Sequence, residues 1–564
     1  MSPEKPVEKI SKFRRAIDYL RTEPFVRLDP PLTRKEMLDR EEDMALRRNG
    51  RDRILFGVRL VTTVPTEGDL YGWDGFKWDG YAAASINAMS DRTDLAAAEL
   101  LTMERYRDTA TGFLTAKFRL EGVSDEEYKR GWPECTTNMR EGRTPYAQAS
   151  LTGPAVLKTD EGHQRAIEDP KNLHRKQQLK DDATLFLYDM YGTTKKYIPY
   201  KGEDQPYFSG LKGECAYFLN HRQNSDTDPL IFTINPNETG RDWDRALNDP
   251  EGGPKIIDLP GKSKIIFSIN SATRWVLYQR FNSQMAKLGH DPKVHNKDLP
   301  DGERRSDWIP EQVRQKYAVN DVMFNAMHAR NLHNTAEVAR KLSKLLPRQA
   351  EQYEKEAGEY EQLAESVEDA ILDRTWNPEK RFFYNLDKNG NQIPDRSITG
   401  LFPLMLDAIR EPKHRDKFVS LLDKLDPEIE DSRKNWFATP YPIPTHPQGD
   451  DFDPDYQRKE GADWQGPVWG ITNYFLVEEG LVRQAEELLK SDKSEDVKLG
   501  KRCMKIAGNI VEKSQELLAM NADTREQYNP LTGQGQRGKV FMWTNLLLHF
   551  DNYEKVKEKY SLAL

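Results

Sequence analysis

The stretch 338–371, VARKLSKLLPRQAEQYEKEAGEYEQLAESVEDAI, decides the fold class. Val338, Leu342, Leu345 and Leu346 fall at i, i+4, i+7 and i+8, one apolar stripe of a helix. Pro347 interrupts it, because proline has no N–H to give to the preceding turn. Tyr360, Leu363, Ala364, Val367, Ala370 and Ile371 then form a second stripe. The same periodicity returns in Cys503, Ala507, Ile510, Leu517 and Leu518. Gly480, after Asn473-Tyr474-Phe475-Leu476-Val477, reads as a helix stop, with a new amphipathic run through Val482, Ala485, Leu488 and Leu489. The pattern predicts a chain of helical hairpins and not alternating strands and helices.

Outward from these helices the periodicity fades. Residues 120–215 are rich in charge, glycine and proline and read as a loop-rich insertion. Residues 285–312 and 436–462 read as irregular connections. No tandem repeat is evident. Long irregular loops on a helical scaffold are where binding and catalytic residues tend to sit.

Composition narrows the function. Acidic side chains outnumber basic ones, 92 to 84, a net charge of −8. A nucleic-acid binder needs a basic stripe for phosphate contacts, and none is present. Basic runs such as His174-Arg175-Lys176 are soon followed by Asp181 and Asp182, as on a solvated face. No stretch approaches the roughly 20 apolar residues that span a bilayer, so no membrane partner is expected. Cys135, Cys215 and Cys503 are too scattered for a disulfide framework or a metal site, and buried reduced thiols are expected. No signal-peptide core follows the N-terminal Met-Ser-Pro-Glu-Lys. The one sequon, Asn237-Glu238-Thr239, falls where a glycan would obstruct the candidate site. The expected compartment is the cytoplasm.

Aromatic residues make up 10% of the chain, and several tryptophans cluster with acids and glycines off the helical stripes. The clusters are Trp73-Asp74-Gly75-Phe76-Lys77-Trp78-Asp79-Gly80-Tyr81, Ala462-Asp463-Trp464-Gln465-Gly466-Pro467-Val468-Trp469 and Phe541-Met542-Trp543-Thr544-Asn545. Sugars offer apolar C–H faces and a rim of hydroxyls, which aromatic platforms and carboxylates match. The bland alternative is core tryptophans beside helix-capping acids.

Two further stretches carry acids. Asn235-Pro236-Asn237-Glu238-Thr239-Gly240-Arg241-Asp242-Trp243-Asp244 holds three within seven residues. Neighbouring carboxylates and an apolar wall both raise a carboxyl pKa, as a proton donor at neutral pH requires. An Asp-rich helix cap is the alternative. Arg525-Glu526-Gln527-Tyr528-Asn529-Pro530 places one acid among aromatic and amide groups; alone it reads as a solvated loop acid. Together the two stretches could supply the acid and base of an inverting glycosidase, whose carboxyls lie roughly 6.5–9.5 Å apart.

The ordered set Trp78-Asp79, Glu238-Thr239-Gly240-Arg241-Asp242, Trp464-Gln465-Gly466-Pro467-Val468-Trp469 and Glu526-Gln527-Tyr528-Asn529-Pro530 resembles glycoside hydrolase family 63. That family includes processing α-glucosidase I, bacterial α-glucosidases, and mannosylglycerate and glucosylglycerate hydrolases; trehalases are similar in fold. The resemblance runs from about residue 50 to the end and includes Val319-Asn320-Asp321-Val322-Met323-Phe324-Asn325 and Trp376-Asn377-Pro378-Glu379. It implies an all-α (α/α)6 toroid over 51–564 with long inserted loops, behind a helical extension at 1–50. It implies an inverting α-glycosidase with Asp242 as general acid and Glu526 as general base. Sugar contacts are expected from Trp78, Asp79, Tyr81, Glu238, Arg241, Trp464, Gln465, Gly466, Trp469 and Tyr528. Trp73 and Asp74 form the competing Trp-Asp pair. The expected substrate is a short α-linked glucoside. A glycosylglycerate or trehalose-like sugar is the alternative.

No cofactor and no metal are called for. Epimerases on this scaffold would use paired histidines, and His290, His295 and His446 form no evident pair. A helical-repeat binding protein would show a repeat period. A metal-dependent hydrolase would show ligand spacing.

Overall fold

The computed structural model describes residues 27–55, 58–66, 74–107, 112, 114, 117–120, 151–192, 197–200, 203–206, 210–234, 236–241, 244, 314–315, 318–431, 435–448 and 464–562. The first helix, α1 (Arg34–Asp43), begins at a capping box. Thr33 Oγ1 accepts the Glu36 N–H at 3.3 Å, and the Glu36 carboxylate accepts the Thr33 N–H at 2.8 Å. A π-helical turn, Met44–Arg48, continues it. Residues 1–26 of the expected N-terminal extension lie outside the described residues. Arg40 fastens α1 to the far end of the chain, donating to the carbonyls of Asn521 and Leu518 at 3.0 and 3.1 Å.

Next come α2 (Lys77–Met89) and α3 (Thr93–Glu104). Every residue of α2 is buried, which Gly80 and Ala82-Ala83-Ala84 permit by their small size. Helices α4 (Thr152–Glu168), α5 (Lys176–Tyr191) and α6 (Gly210–His221) follow. The first two lie inside the stretch read as a loop-rich insertion, so that reading is corrected here. The stripe of α4 was hard to see because small and polar residues share it: Ala155, Val156, Thr159, Gly162 and His163 are buried at i, i+1, i+4, i+7 and i+8. A Cβ on Gly162 would lie 2.4 Å from Thr93 Cγ2, so glycine sets how closely α4 approaches α3.

The two stripes that set the fold class are α7 (Val322–Leu345) and α8 (Ala350–Arg374), packed against each other, with Pro347 opening the 3₁₀ turn between them. Then come the 3₁₀ segment Ile398–Met405 and α9 (Arg415–Leu425). Gly480 does not end a helix. Helix α10 (Gly470–Phe475) passes through a π turn, Leu476–Val482, into α11 (Arg483–Leu489). Gly480 is not among the left-handed residues, and a Cβ there would meet Leu404 Cβ at 3.5 Å. That is an ordinary van der Waals contact, so neither a helix end nor close packing requires glycine here. Helix α12 (Ser494–Met520), the 3₁₀ segment Met542–Leu548 and α13 (Asp551–Lys559) complete the chain.

Contacts close these elements into a ring. Helix α2 packs on α4, α4 on α7, α7 on Ile398–Met405, that segment on the Leu476–Val482 turn, α10 on Met542–Leu548, and Met542–Leu548 back on α2. Helices α3, α5, α8, α9 and α12 pack around the ring. This is the (α/α)6 toroid. The described strands form only two-stranded sheets, at the loop ends. Cys215 and Cys503 are buried free thiols. No helix among the described residues is long and apolar enough to cross a membrane.

Candidate active site

The N-terminal ends of the ring elements meet at one end of the toroid. Trp78 and Asp79 sit in the first turn of α2. Trp469 is the N-cap of α10, and Phe541 that of Met542–Leu548. Trp543 meets Trp78 edge-on at 6.2 Å, Trp469 at 5.9 Å and Phe541 at 4.9 Å between ring centroids. Trp464 stacks on Trp469 at 4.5 Å, with planes 10° apart. All four indoles are buried. The bend Glu238–Arg241 closes over Trp78: Gly240 is left-handed, φ 68°, and a Cβ on it would lie 3.4 Å from that indole.

Within this aromatic cluster three buried polar atoms find no hydrogen-bond partner among the described residues: Asp79 Oδ1, Trp464 Nε1 and Trp543 Nε1. Native interiors rarely leave such atoms unpaired. Burial pushes the Asp79 carboxyl up to about 8, and the nearby Glu526 carboxylate adds to the rise. Behind Asp79, Glu99 accepts from the Thr63 N–H and hydroxyl at 2.7 and 3.1 Å. Burial lifts its pKa to about 8, and Asp79 adds to that rise.

Glu526 lies on the strand Arg525–Tyr528, paired with Gly535–Lys539. The register takes Arg525 to Lys539 but Gln527 to Gln536, three steps against two, so a bulge stands opposite Glu526. From it the Gly538 N–H reaches Glu526 Oε2 at 3.3 Å and Arg537 Nη1 reaches Oε1 at 3.5 Å. Arg537 and Val540 are left-handed, φ 59° and 55°, a conformation rare for a β-branched residue. The strained backbone accompanies the inward aim of this loop. Val468 and Tyr528 exchange backbone hydrogen bonds at 2.8 and 2.9 Å, so the tryptophan loop and the Glu526 strand are joined.

Of the expected site residues, Trp78, Asp79, Trp464, Trp469 and Glu526 are gathered here. Gly466 donates its N–H to Thr445 Oγ1 at 2.9 Å, and Gln465 is partly exposed beside it. Asp242 and Trp73 lie outside the described residues, and of Asp74 only the backbone is described, in a strand Asp74–Phe76 paired with Lys117–Arg119. Four residues expected at the sugar are engaged within the protein. Glu238 takes Arg222 at 2.8 Å, Thr233 Oγ1 at 2.6 Å and the Ile234 N–H at 2.9 Å. Arg241 holds Asp244 at 2.8 Å and also Asp321, the N-cap of α7. Tyr81 takes Arg107 Nη2 at 3.3 Å, and Tyr528 takes the Arg525 N–H at 3.0 Å. All four are buried, and buried charges and hydroxyls must find partners. Sequence reading omitted Trp543, Phe541, Arg537, Gly538 and Glu99. The aromatic cluster at 541–545 signalled the first two; nothing local signalled the others.

The toroid gathers four buried indoles with Asp79 on α2 and Glu526 on the strand Arg525–Tyr528, and a family match gives its class as a glycoside hydrolase. The chain belongs to glycoside hydrolase family 63: the model of the mannosylglycerate hydrolase MGH1-like glycoside hydrolase domain matches residues 183–544. Among solved structures, the family 63 mannosylglycerate hydrolase of Thermus thermophilus in complex with Tris shares 19% identity. The match covers 93% of this chain and 99% of that one, with a TM-score of 0.57. The complexes of that enzyme with glucose and with Tris and D-glycerate match over the same shares at 19% identity, each with a TM-score of 0.56. These likenesses show the fold. No curated protein matches the chain.

Proposed function

We propose that this glycoside hydrolase is an inverting α-glycosidase acting on a small α-linked glucoside or mannoside, with a glycosylglycerate as the substrate class best supported. The observation that carries this reading is the buried aromatic cluster with Asp79 Oδ1 and two indole N–H groups that find no partner among the described residues, near Glu526. Walls this deeply buried suit a terminal sugar on a compact aglycone. Arg537, at the same carboxylate, supplies a cation that an acidic aglycone would meet. The D-glycerate complex of the Thermus thermophilus enzyme supports the same substrate class.

In this mechanism Asp242 gives its proton to the glycosidic oxygen as the C–O bond breaks. Water adds to the anomeric carbon from the opposite face, and Glu526 takes the proton that water loses. The product is the β-anomer. Asp79 accepts hydrogen bonds from sugar hydroxyls, with Trp78, Trp469 and Trp543 as walls. We place the reaction in the cytoplasm, in keeping with the free thiols Cys215 and Cys503.

The test is release of free sugar from a panel of α-linked disaccharides and glycosylglycerates, with the first-formed anomer read by proton NMR. Turnover of a glycosylglycerate with an initial β-product is expected; an initial α-anomer overturns the inverting assignment. Asp242→Asn should abolish turnover of unactivated substrates, since general acid catalysis is worth about 10²–10⁴. Glu526→Ala should lose turnover and regain it with azide on a glycosyl fluoride. Full native activity in either variant removes that residue from its role.

A further inference from the structure

The stretch Pro440-Tyr441-Pro442-Ile443-Pro444-Thr445 alternates proline with other residues. Proline has no N–H, so only Tyr441, Ile443 and Thr445 can donate from this backbone. Tyr441 gives its N–H to the Pro530 carbonyl at 2.9 Å, just past the strand that carries Glu526. Thr445 gives its own to the Pro467 carbonyl at 3.1 Å, and Thr445 Oγ1 accepts the Gly466 N–H at 2.9 Å, so this end grips the loop between Trp464 and Trp469. Ile443, between them, gives its N–H to Asn473 Oδ1 at 3.0 Å. Asn473 Nδ2 returns a bond to the Pro442 carbonyl at 2.8 Å and gives a second to Ser514 Oγ of α12 at 3.1 Å. Asn473 is fully buried on α10, and its backbone N–H takes the Trp469 carbonyl at 3.3 Å. Pro444 also bridges Val468, and Val468 bridges Tyr528, so the proline stretch, the tryptophan loop and the Glu526 strand lie as three adjacent rows.

We propose that Asn473 is a positioning residue for the reaction: by holding the Pro442–Ile443 peptide on α10, its side-chain amide sets where the Trp464–Trp469 wall stands against the Glu526 strand. Of the three N–H groups in the proline stretch, the outer two reach the Glu526 side and the tryptophan loop, and only the middle one is taken by a side chain. That side chain anchors the stretch to the helix that Trp469 opens. Alternate prolines leave no ladder of backbone bonds in reserve. Loss of the amide strands a buried N–H and a buried carbonyl, and the stretch relieves that cost by shifting, with the two rows beside it. The stacked indoles of Trp464 and Trp469, 4.5 Å apart, then move relative to Glu526. Asn473 spends its amide on Ile443, Pro442 and Ser514, so it acts through the loop and not on sugar.

This inference rests on Glu526 being the base, a role that Glu526→Ala tests separately. Its own test is Asn473→Asp, which keeps the acceptor for Ile443 and sets an oxygen against the Pro442 carbonyl. Two readouts are taken well below the melting temperature: kcat, and the near-UV circular dichroism of the indoles, which needs no substrate. kcat is expected to fall by about tenfold or more, with a changed indole spectrum. Ser514→Ala leaves both bonds to the loop in place and should keep native kcat and spectrum. Native kcat or a native indole spectrum in Asn473→Asp, with only a lower Tm, overturns the proposal and leaves Asn473 a packing residue. A loss of kcat as large in Ser514→Ala also overturns it, since the effect would then run through α12. Should Asn473→Asp not fold, Thr445→Val reads the same linkage nearer the tryptophans: it keeps the shape and removes the acceptor for the Gly466 N–H. The same two changes are expected there, and native kcat with a native spectrum in Thr445→Val overturns the proposal.

Discussion

Gly538 gives its backbone N–H to Glu526 Oε2 at 3.3 Å, and a Cβ on Gly538 would lie 3.3 Å from that oxygen and 2.9 Å from the Phe541 ring. A side chain at 538 would therefore crowd the Phe541 ring first and the proposed base second. The left-handed Arg537 just before and Val540 just after fix the approach.

Gly538→Ala is accordingly expected to push the loop away from Glu526 while leaving the helical ring folded. kcat should fall by about tenfold or more, because small misplacements of a catalytic group cost rate steeply. Steady-state kinetics beside a thermal melt checks this. An unchanged kcat would show that the loop can yield without moving the base.

Trp543 joins Trp78 to Trp469 through its ring and offers an unpartnered N–H. The two contributions separate by substitution. Trp543→Phe keeps much of the ring and loses the donor; Trp543→Ala loses both. A stepwise fall in kcat/KM is expected, about tenfold for the donor and more for the ring. Equal kinetics for Trp543→Phe and the unaltered protein would mean that the N–H does not meet substrate.

The fold was legible in the sequence wherever helices alternate an apolar face with a charged one. Val338 and Leu342 of the first stripe are buried on α7, while Leu345 is exposed at its last turn and Leu346 caps it; the stripe at 360–371 lies on α8, and Cys503 to Leu518 lie on α12. It was illegible where a helix is buried on more than one side. Helix α4 packs on α2, α5 and α7 at once, so Gly153, Lys158 and Asp160 are buried beside its stripe, and the small and polar residues on that stripe mask its period. Gly480 misled because glycine often ends helices, whereas here the chain runs on through it as a π turn without positive φ and with room for a Cβ. At the site, the tryptophan–acid clusters pointed to the residues gathered there. Whether an acid faces ligand or a salt bridge depends on partners distant in sequence, such as Arg222 for Glu238.

Asp79 is expected to leave a mark on stability as well as on binding. Its pKa is about 8 in the folded chain, against roughly 3.9 for an unfolded aspartate. The folded state therefore holds an extra proton between about pH 4 and 8. The stability linked to that proton is full below about pH 4 and is lost as pH rises through about 8. Asp79→Asn removes the ionisation while preserving shape. Tm measured across pH should match the unaltered protein near about pH 4 and exceed it increasingly up to about pH 9, with sugar turnover lost throughout. A Tm gap that does not widen with pH would mean that Asp79 is ionised throughout.

Glu238 gives the sharpest contrast between holding sugar and holding the fold. Both of its oxygens are engaged: Arg222 takes Oε1 at 2.8 Å, and Thr233 and the Ile234 N–H take Oε2 at 2.6 and 2.9 Å. Burial raises the Glu238 pKa, with Arg222 opposing that rise. Glu238→Gln leaves Arg222 buried without its counter-charge, a loss of about 3–5 kcal/mol in comparable pairs. A marked drop in Tm is expected even without substrate. Replacing both partners, Arg222→Met with Glu238→Gln, removes the orphaned cation and should recover much of that loss. If Glu238 instead met sugar, the single variant would melt near the native temperature and show its defect in KM. Melting curves of the two variants, set against their KM values, decide between a strut beneath the acid loop and a sugar ligand.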